Sequence, residues 1–296
     1  MKLQSILQFL TFVFPNLLVT DKGYTCRCLY GEQCWPNESE FAKLTSQLSQ
    51  PVLHPLPPAS ACYLPSAPSG DCSVITANYT NGIWRSDQPG AMQHTNYETF
   101  VSHDGTLSAC YLDTTLGVPC GQGSIPPVGV DARSESDVQA AVKFAKQHNL
   151  KLVVKTTGHD FLGRSTARGS FLIWTHYMKQ TVYNPTFIPE GAPVTAENTL
   201  NGEFPFSYFQ LLIIRYRSYI SAVTFGAGVQ WSEAFEFVEK HGRLVVGGAV
   251  KSVGAAGGWL MGGGHSACSP TFGLGTVILY RLSCSPSIHD IMYRCW

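Results

Sequence analysis

Charge is scarce in this chain. Of its 296 residues only 14% are Asp, Glu, Lys or Arg, and 20 basic side chains balance 20 acidic ones. A nucleic-acid partner is excluded on that count, because no Lys/Arg cluster exists to displace counterions from phosphates. An acidic tail is missing too. So are long hydrophobic runs: the apolar stretch from Ile6 to Phe14 breaks at Pro15-Asn16, well short of the roughly 20 residues that cross a bilayer. No repeat and no metal-ligand spacing is found, so no metal is expected. Neither G-x-x-x-x-G-K-[ST] nor G-x-G-x-x-G stands in a strand-to-helix setting, which disfavours P-loop and Rossmann readings. What is present is a 44% apolar chain with core enough for one large domain or two, and a small molecule is the expected partner.

Residues 1–20 read as an export signal: Met1-Lys2 gives a positive start before the apolar run. The segment Val19-Thr20-Asp21 lacks a small-x-small cleavage pattern, and a buried amphipathic helix is the competing reading. Cysteine usage supports export. Seven of the 10 cysteines lie between Cys26 and Cys120, and Cys62/Cys72 and Cys110/Cys120 flank short polar stretches suited to local disulfides. Cys26, Cys28 and Cys34 form a third cluster, whose C-x-C and five-residue gap match no usual zinc spacing. The sequons at Asn37 and Asn78 would be usable in a secreted protein. Secretion, or passage through the secretory pathway, is the expectation.

Residues 21–122 are rich in Pro, Ser, Gly, Cys and aromatics and read as a disulfide-tied N-terminal extension. A β-α-β pattern follows: a strand at Val128 to Val130, a helix opened by Ser134-Glu-Ser-Asp137 with Val138, Ala141, Val142 and Ala145 on one face, and a fully buried strand at Leu152-Val-Val154. His148-Asn149 ends the helix. A second such region spans residues 222–275. It holds a strand at Val223 to Phe225, a turn at Gly226-Ala-Gly228, a helix from Trp231 to His241 and a further buried strand at Leu244 to Val246. The run Gly254-Ala-Ala-Gly-Gly-Trp-Leu-Met-Gly-Gly-Gly-His265 then leaves so little side chain that backbone can approach a ligand closely.

The loop Lys155-Thr-Thr-Gly-His-Asp-Phe-Leu-Gly-Arg-Ser165 carries the most chemistry. Gly158 and Gly163 suit tight turns, Thr156, Thr157 and Ser165 offer hydroxyls, and successive backbone N–H groups can form a nest for a phosphate, with Lys155 or Arg164 adding charge. On spacing alone an ordinary polar turn is an equal reading.

With Phe171-Leu-Ile-Trp-Thr-His176, this loop resembles the flavin-attachment segment of fungal FAD-linked oxidases, relatives of berberine-bridge enzyme in the vanillyl-alcohol-oxidase superfamily. Gly226-Ala-Gly-Val-Gln-Trp231, Val253-Gly-Ala-Ala-Gly-Gly258 and Gly262-Gly-Gly-His-Ser266 are similar to later FAD-contacting segments. Cys26-Arg-Cys28, Cys34-Trp-Pro36, Ile83-Trp-Arg85 and Gln88-Pro-Gly90 are similar to the secreted fungal branch. The resemblance implies an α+β fold, a PCMH-type FAD-binding domain of two α/β subdomains over residues 123–275. It implies FAD bonded covalently from His159 to the 8α-methyl carbon. The cofactor-contacting set becomes Lys155, Thr157, Gly158, Asp160, Gly163, Arg164, Ser165, Gly226, Gly228, Val253, Gly254, Gly257, Gly258, Gly263 and Gly264. Many relatives add a cysteine bond just before V-G-x-x-G-G. Here Val250-Lys-Ser252 stands there and Cys268 lies outside the matching position, so a single link is expected. Cys268, Cys284 and Cys295 read as late, unpaired thiols.

The likeness lapses near residues 199–221 and again over 276–296, which read as an atypical insert and an aberrant tail. The substrate domain that relatives carry after this point is not matched, and no catalytic base can be named. The resemblance implies an oxidase tailoring a secondary-metabolite intermediate. It would pass a hydride from a C–H next to oxygen or nitrogen to flavin and then electrons to O2. A secreted carbohydrate oxidase and an inactive truncated remnant are the alternatives.

Overall fold

The computed structural model describes residues 26–63, 70–187 and 220–277. The expected signal at 1–20, nearly all of the 199–221 insert and of the 276–296 tail, and Cys284 and Cys295 lie outside the described residues.

In chain order the main elements are α1 (Glu38–Thr45), β1 (Val52–Leu53), α2 (Cys72–Asn78), α3 (Gly82–Ser86), β2 (Phe100–Val101), β3 (Leu107–Ser108), β4 (Val128–Asp131), α4 (Glu135–Gln147), β5 (Leu152–Lys155), β6 (Phe171–Trp174), β7 (Thr181–Phe187), β8 (Ile220–Phe225), α5 (Trp231–Lys240) and α6 (Ser269–Phe272). A π-helical turn covers Ala255–Trp259. Among the described residues no helix is long and apolar enough to cross a membrane.

The helix α4 forms where its pattern placed it. Ser134 caps it: the Ser134 side chain accepts from the Asp137 N–H and the Asp137 carboxylate from the Ser134 N–H, a reciprocal capping box. Val138, Ala141, Val142 and Ala145 are buried together against Val128, Val130, Phe171 and Ile173. Each large apolar side chain so buried contributes about 1.5–3 kcal/mol. At the far end Asn149 takes a left-handed φ of 50°, a turn asparagine tolerates better than most residues. Its side-chain amide donates to the Cys26 carbonyl at 2.8 Å.

The expected β-α-β unit forms, with a later strand between its two: the order is β1-β4-β6-β5, and β6 is parallel to both β4 and β5. The strand β6 is apolar and buried on both faces. Two strand expectations are corrected. The strand β5 is not fully buried: it lies at the sheet edge, where Val153 is inside and Leu152 packs on the core, while Val154 is 41% exposed. The second correction concerns residues 244–246, which form no strand. Leu244 is 98% exposed. The chain there follows α5 because Gly247 and Gly248 lie flat against Trp231, where an added Cβ would meet the indole at 2.4 and 2.7 Å.

The N-terminal extension is built into the sheet: β1 pairs antiparallel with β4, Val52 opposite Val130. Disulfides join Cys28 to Cys34, Cys62 to Cys72 and Cys110 to Cys120. The first of these leaves Cys26 exposed and unpaired and gives the Cys28/Glu32/Cys34 cluster no thiolate for a metal. Cys268 is likewise free and exposed.

Candidate functional site

The loop leaving β5 turns on Gly158 and Gly163, both at positive φ (80° and 69°), where a side chain would be strained. Gly158 rests on the segment 88–93, and a Cβ there would lie 3.1 Å from the Ala91 carbonyl oxygen. Gln93 fixes the loop at that point. Its backbone N–H donates to the Gly158 carbonyl at 3.0 Å, and its side-chain amide donates to the Thr157 carbonyl at 3.1 Å and the Gly82 carbonyl at 2.9 Å.

A buried polar clamp holds this support. Arg85 forms an ion pair with Glu98 and donates to the Met92 carbonyl at 2.7 Å and the Tyr79 carbonyl at 3.0 Å. Glu98 also accepts the Met92 N–H at 2.8 Å. Burial pushes the Glu98 carboxyl above the usual range, against the pull of Arg85, the Met92 N–H and Lys155. Gly90 passes so close to residue 56 that a Cβ would overlap the Leu56 carbonyl at 1.9 Å. The Ile83-Trp-Arg85 and Gln88-Pro-Gly90 motifs therefore build the wall behind the loop.

Neither cation suggested for an anion nest is free for it. Lys155 is only 3% exposed, and its ammonium donates to the carbonyls of Gln88 (3.1 Å), Pro89 and Ala91 (2.8 Å). Arg164 folds back on Asp160, its guanidinium 2.6 Å from the carboxylate, while its backbone N–H also donates to Asp160. Those bonds hold the Asp160 carboxyl below its usual range. Ser165 is half-buried beside Thr166 and Lys155, in a shallow hollow walled by Pro89, Ile125 and Leu172.

Across from the loop stands the glycine-rich segment. His159 Nε2 lies 2.8 Å from Ser252 Oγ, joining the two. A Cβ on Gly254 would meet Thr156 Cγ2 at 3.0 Å, and one on Gly257 would meet Thr156 Oγ1 at 3.2 Å, whereas Gly258 faces open space. Val253 is pinned by α5, whose Trp231 N–H donates to its carbonyl at 3.0 Å. The structure thus brings Thr157, Gly158, His159, Val253, Gly254, Gly257 and Gly258 to one place. Gly263 and Gly264 sit further along at φ of 99° and 77°, the second packed on Gly275. Gly226 and Gly228 are close-packing positions: an added Cβ would run into the Met178 carbonyl (2.2 Å) and the His176 carbonyl (2.1 Å).

The His159 imidazole is kept neutral. Burial pushes its pKa down to about 4, and nearby His94 acts in the same direction. Sequence reasoning missed Ser252, Gln93, Gln230 and the Arg85–Glu98 pair. Ser252 stood in a tripeptide read only for its lack of cysteine, and its hydroxyl gives no periodic signal.

A family described as FAD binding domain matches residues 126–187, which include the His159 loop. An uncharacterized FAD-linked oxidoreductase of Arthroderma benhamiae is 39% identical over 88% of this chain and 41% of its own length. The FAD-linked oxidoreductase notD of an Aspergillus species is 35% identical over 86% of this chain and 38% of its own. Among solved structures, the VAO-type flavoprotein MtVAO615 from Myceliophthora thermophila is similar with a TM-score of 0.65. Its identity is 30%, over 84% of this chain and 40% of its own. The chain thus spans about 40% of the length of the relatives it matches.

The residues present fit FAD. Gly257 and Gly258 carry no side chain, and a Cβ on Gly258 would meet nothing within 4 Å, so anionic or carbonyl oxygens can approach the backbone closely there. With Lys155 and Arg164 committed elsewhere, backbone amides rather than cations would hold such oxygens. A neutral imidazole beside that surface is the form able to act as a nucleophile.

Proposed function

We propose that this chain, a homologue of the fungal FAD-linked oxidoreductases with the VAO-type flavin-binding fold, holds FAD through one covalent bond from His159 and serves a small-molecule oxidoreductase. The flavin supplies hydride acceptance from a C–H next to oxygen or nitrogen and passage of the electrons to O2. A secondary-metabolite intermediate is the substrate class we favour, on the resemblance to the fungal branch.

The observation that carries this reading is the position of His159: neutral, half-buried, and fixed against the glycine-rich surface by Ser252. Thr157 and Gly158 set its backbone through Gln93. The absence of a thiol at Val250-Lys-Ser252 leaves His159 as the attachment point. Secretion is supported by the disulfides and by the two sequons. Asn37 uses only its side-chain oxygen to cap α1, which leaves its amide nitrogen to solvent, whereas the Asn78 amide donates to the Val74 carbonyl at 3.0 Å.

Denaturing gel electrophoresis of protein made in the presence of FAD tests the bond. Under ultraviolet light the parent should fluoresce and His159→Ala should be dark. A dark band in both would sink the covalent reading.

The pH dependence follows from the same imidazole. With its pKa near 4, His159 is neutral and competent across the neutral range. The rate of covalent attachment should be level from pH 8 to about pH 5, and fall about tenfold per unit below the pKa. The folded value lies below the unfolded value of 6.5, so the unfolded chain takes up the proton first. This group's contribution is therefore undiminished above pH 6.5 and declines as pH falls toward 4. An attachment rate already falling at pH 6.5 would show an exposed, ordinary histidine instead.

A further inference from the structure

We infer that the Asp87–His176 hydrogen bond is an acid-sensitive clasp: it joins the two sides of the candidate flavin site while His176 is neutral, and protonation of His176 opens it. The effect on flavin rests on the FAD reading, whereas the effect on the fold stands without it.

His176 follows β6 and is 1% exposed. Its Nε2 lies 2.7 Å from Oδ1 of Asp87, the residue that ends α3. Each partner stands at the root of one side of the site. Beyond Asp87 come the carbonyls of Gln88, Pro89 and Ala91 that receive Lys155, and then Gln93, which fixes Thr157 and Gly158. Beyond His176, the Met178 carbonyl accepts the Gly228 N–H at 3.0 Å, and the Val229 carbonyl accepts the Ala255 N–H at 2.8 Å where the glycine-rich turn begins. Gly228 also packs on the His176 carbonyl itself. The motifs Gln88-Pro-Gly90 and Phe171 to His176 are thus tied through this bond.

An ionised carboxylate accepts hydrogen bonds and has none to donate, so Nε2 carries the hydrogen and Nδ1 the lone pair. Nδ1 is buried and meets no hydrogen-bond partner among the described residues. A second N–H there, bearing a positive charge, would be an unmet donor in a site closed to water. The imidazole lies nearly parallel to the Trp174 ring at 5.4 Å and edge-on to Tyr177 at 4.8 Å. Arg133, paired with Asp131, covers the Tyr177 ring at 4.0 Å. The Lys179 ammonium opposes another cation, while Asp87 at the end of α3 and Glu233 of α5 favour one. Burial, aided by Lys179, prevails and holds His176 below the usual histidine range. The unfolded chain, near 6.5, therefore takes up the proton first. The contribution of the clasp is whole above pH 6.5 and declines as pH falls.

The test compares the full chain with His176→Gln, whose side-chain amide can donate to Asp87 but takes up no proton. Between pH 7 and pH 5 the unfolding equilibrium constant, from urea titration, should rise about tenfold more in the parent than in His176→Gln. His159 titrates with the same sign in both proteins and cancels. In a His159→Ala background, which binds flavin without a covalent bond, FAD release should quicken on acidification, and less so once His176→Gln is added. If His176→Gln fails to fold, nitrogen-15 NMR of the parent decides the matter: His176 should carry hydrogen on Nε2 alone at pH 7 and titrate below 6.5. Equal acid sensitivity of parent and His176→Gln, or a His176 that titrates at 6.5 or above, would overturn the inference. FAD release indifferent to pH would overturn its action on the site. A His159→Ala protein with no bound FAD at either pH would refute the FAD reading, and the urea comparison would still judge the clasp.

Discussion

Arg85→Met is expected to remove about 3–5 kcal/mol of folding stability, because it strands a buried carboxylate. Arg85 and Glu98 have side chains only 3% and 8% exposed. The guanidinium is also the donor to the Met92 and Tyr79 carbonyls and lies 4.8 Å from the centre of the Tyr79 ring. Loss of one partner leaves the Glu98 charge in a dry site with the Met92 N–H as its remaining direct donor. Whole domains are typically stable by about 5–15 kcal/mol, so this single change approaches the limit. Since the clamp carries the segment under Gly158, flavin binding should fall with it. Urea unfolding followed by fluorescence gives the stability, and acid-released flavin gives the occupancy. The double variant Arg85→Met/Glu98→Leu should recover most of the loss, because no charge is then left unpaired. If Arg85→Met shifted stability by less than about 1 kcal/mol, the pair would be no more than a surface salt bridge.

Lys155→Met should be nearly as damaging, by about 3 kcal/mol or more, from orphaned carbonyls rather than an orphaned charge. The three N–H bonds of the ammonium match the carbonyls of Gln88, Pro89 and Ala91. Methionine fills similar space but donates to none of them. The loop and its support would then separate at the base of β5, immediately before His159. The expected signature is joint loss of stability and covalent flavin in Lys155→Met, beside Arg164→Met, which removes only an exposed pair with Asp160 and should change stability by less than about 1 kcal/mol. Equal urea midpoints for Lys155→Met and the parent would refute a clamping role. Lys155 was legible as a loop residue, yet its role is opposite in kind to the one its charge suggested.

That reversal marks the boundary between what the chain announces and what folding adds. Local, ordered signals were readable: the Ser134 cap and apolar face of α4, the turn glycines at 158 and 163, the paired Cys62/Cys72 and Cys110/Cys120, and the loop containing His159. Each depends on residues close in sequence, where spacing and backbone preference decide the outcome. Strand adjacency was not readable, since nothing in Leu152 to Lys155 shows that β6 will lie between it and β4. Nor was the absence of a strand at 244–246, which follows from the packing of Gly247 and Gly248 on a tryptophan side chain. By itself, then, the sequence determined the fold class, the FAD cofactor and the loop that carries His159. The partners of that histidine, the burial that keeps it neutral and the diversion of Lys155 and Arg164 from ligand to scaffold were decided by tertiary structure. Hydrogen bonds between residues 93 positions apart, as His159 and Ser252 are, exist only once the sheet and α5 have brought two glycine-rich segments together.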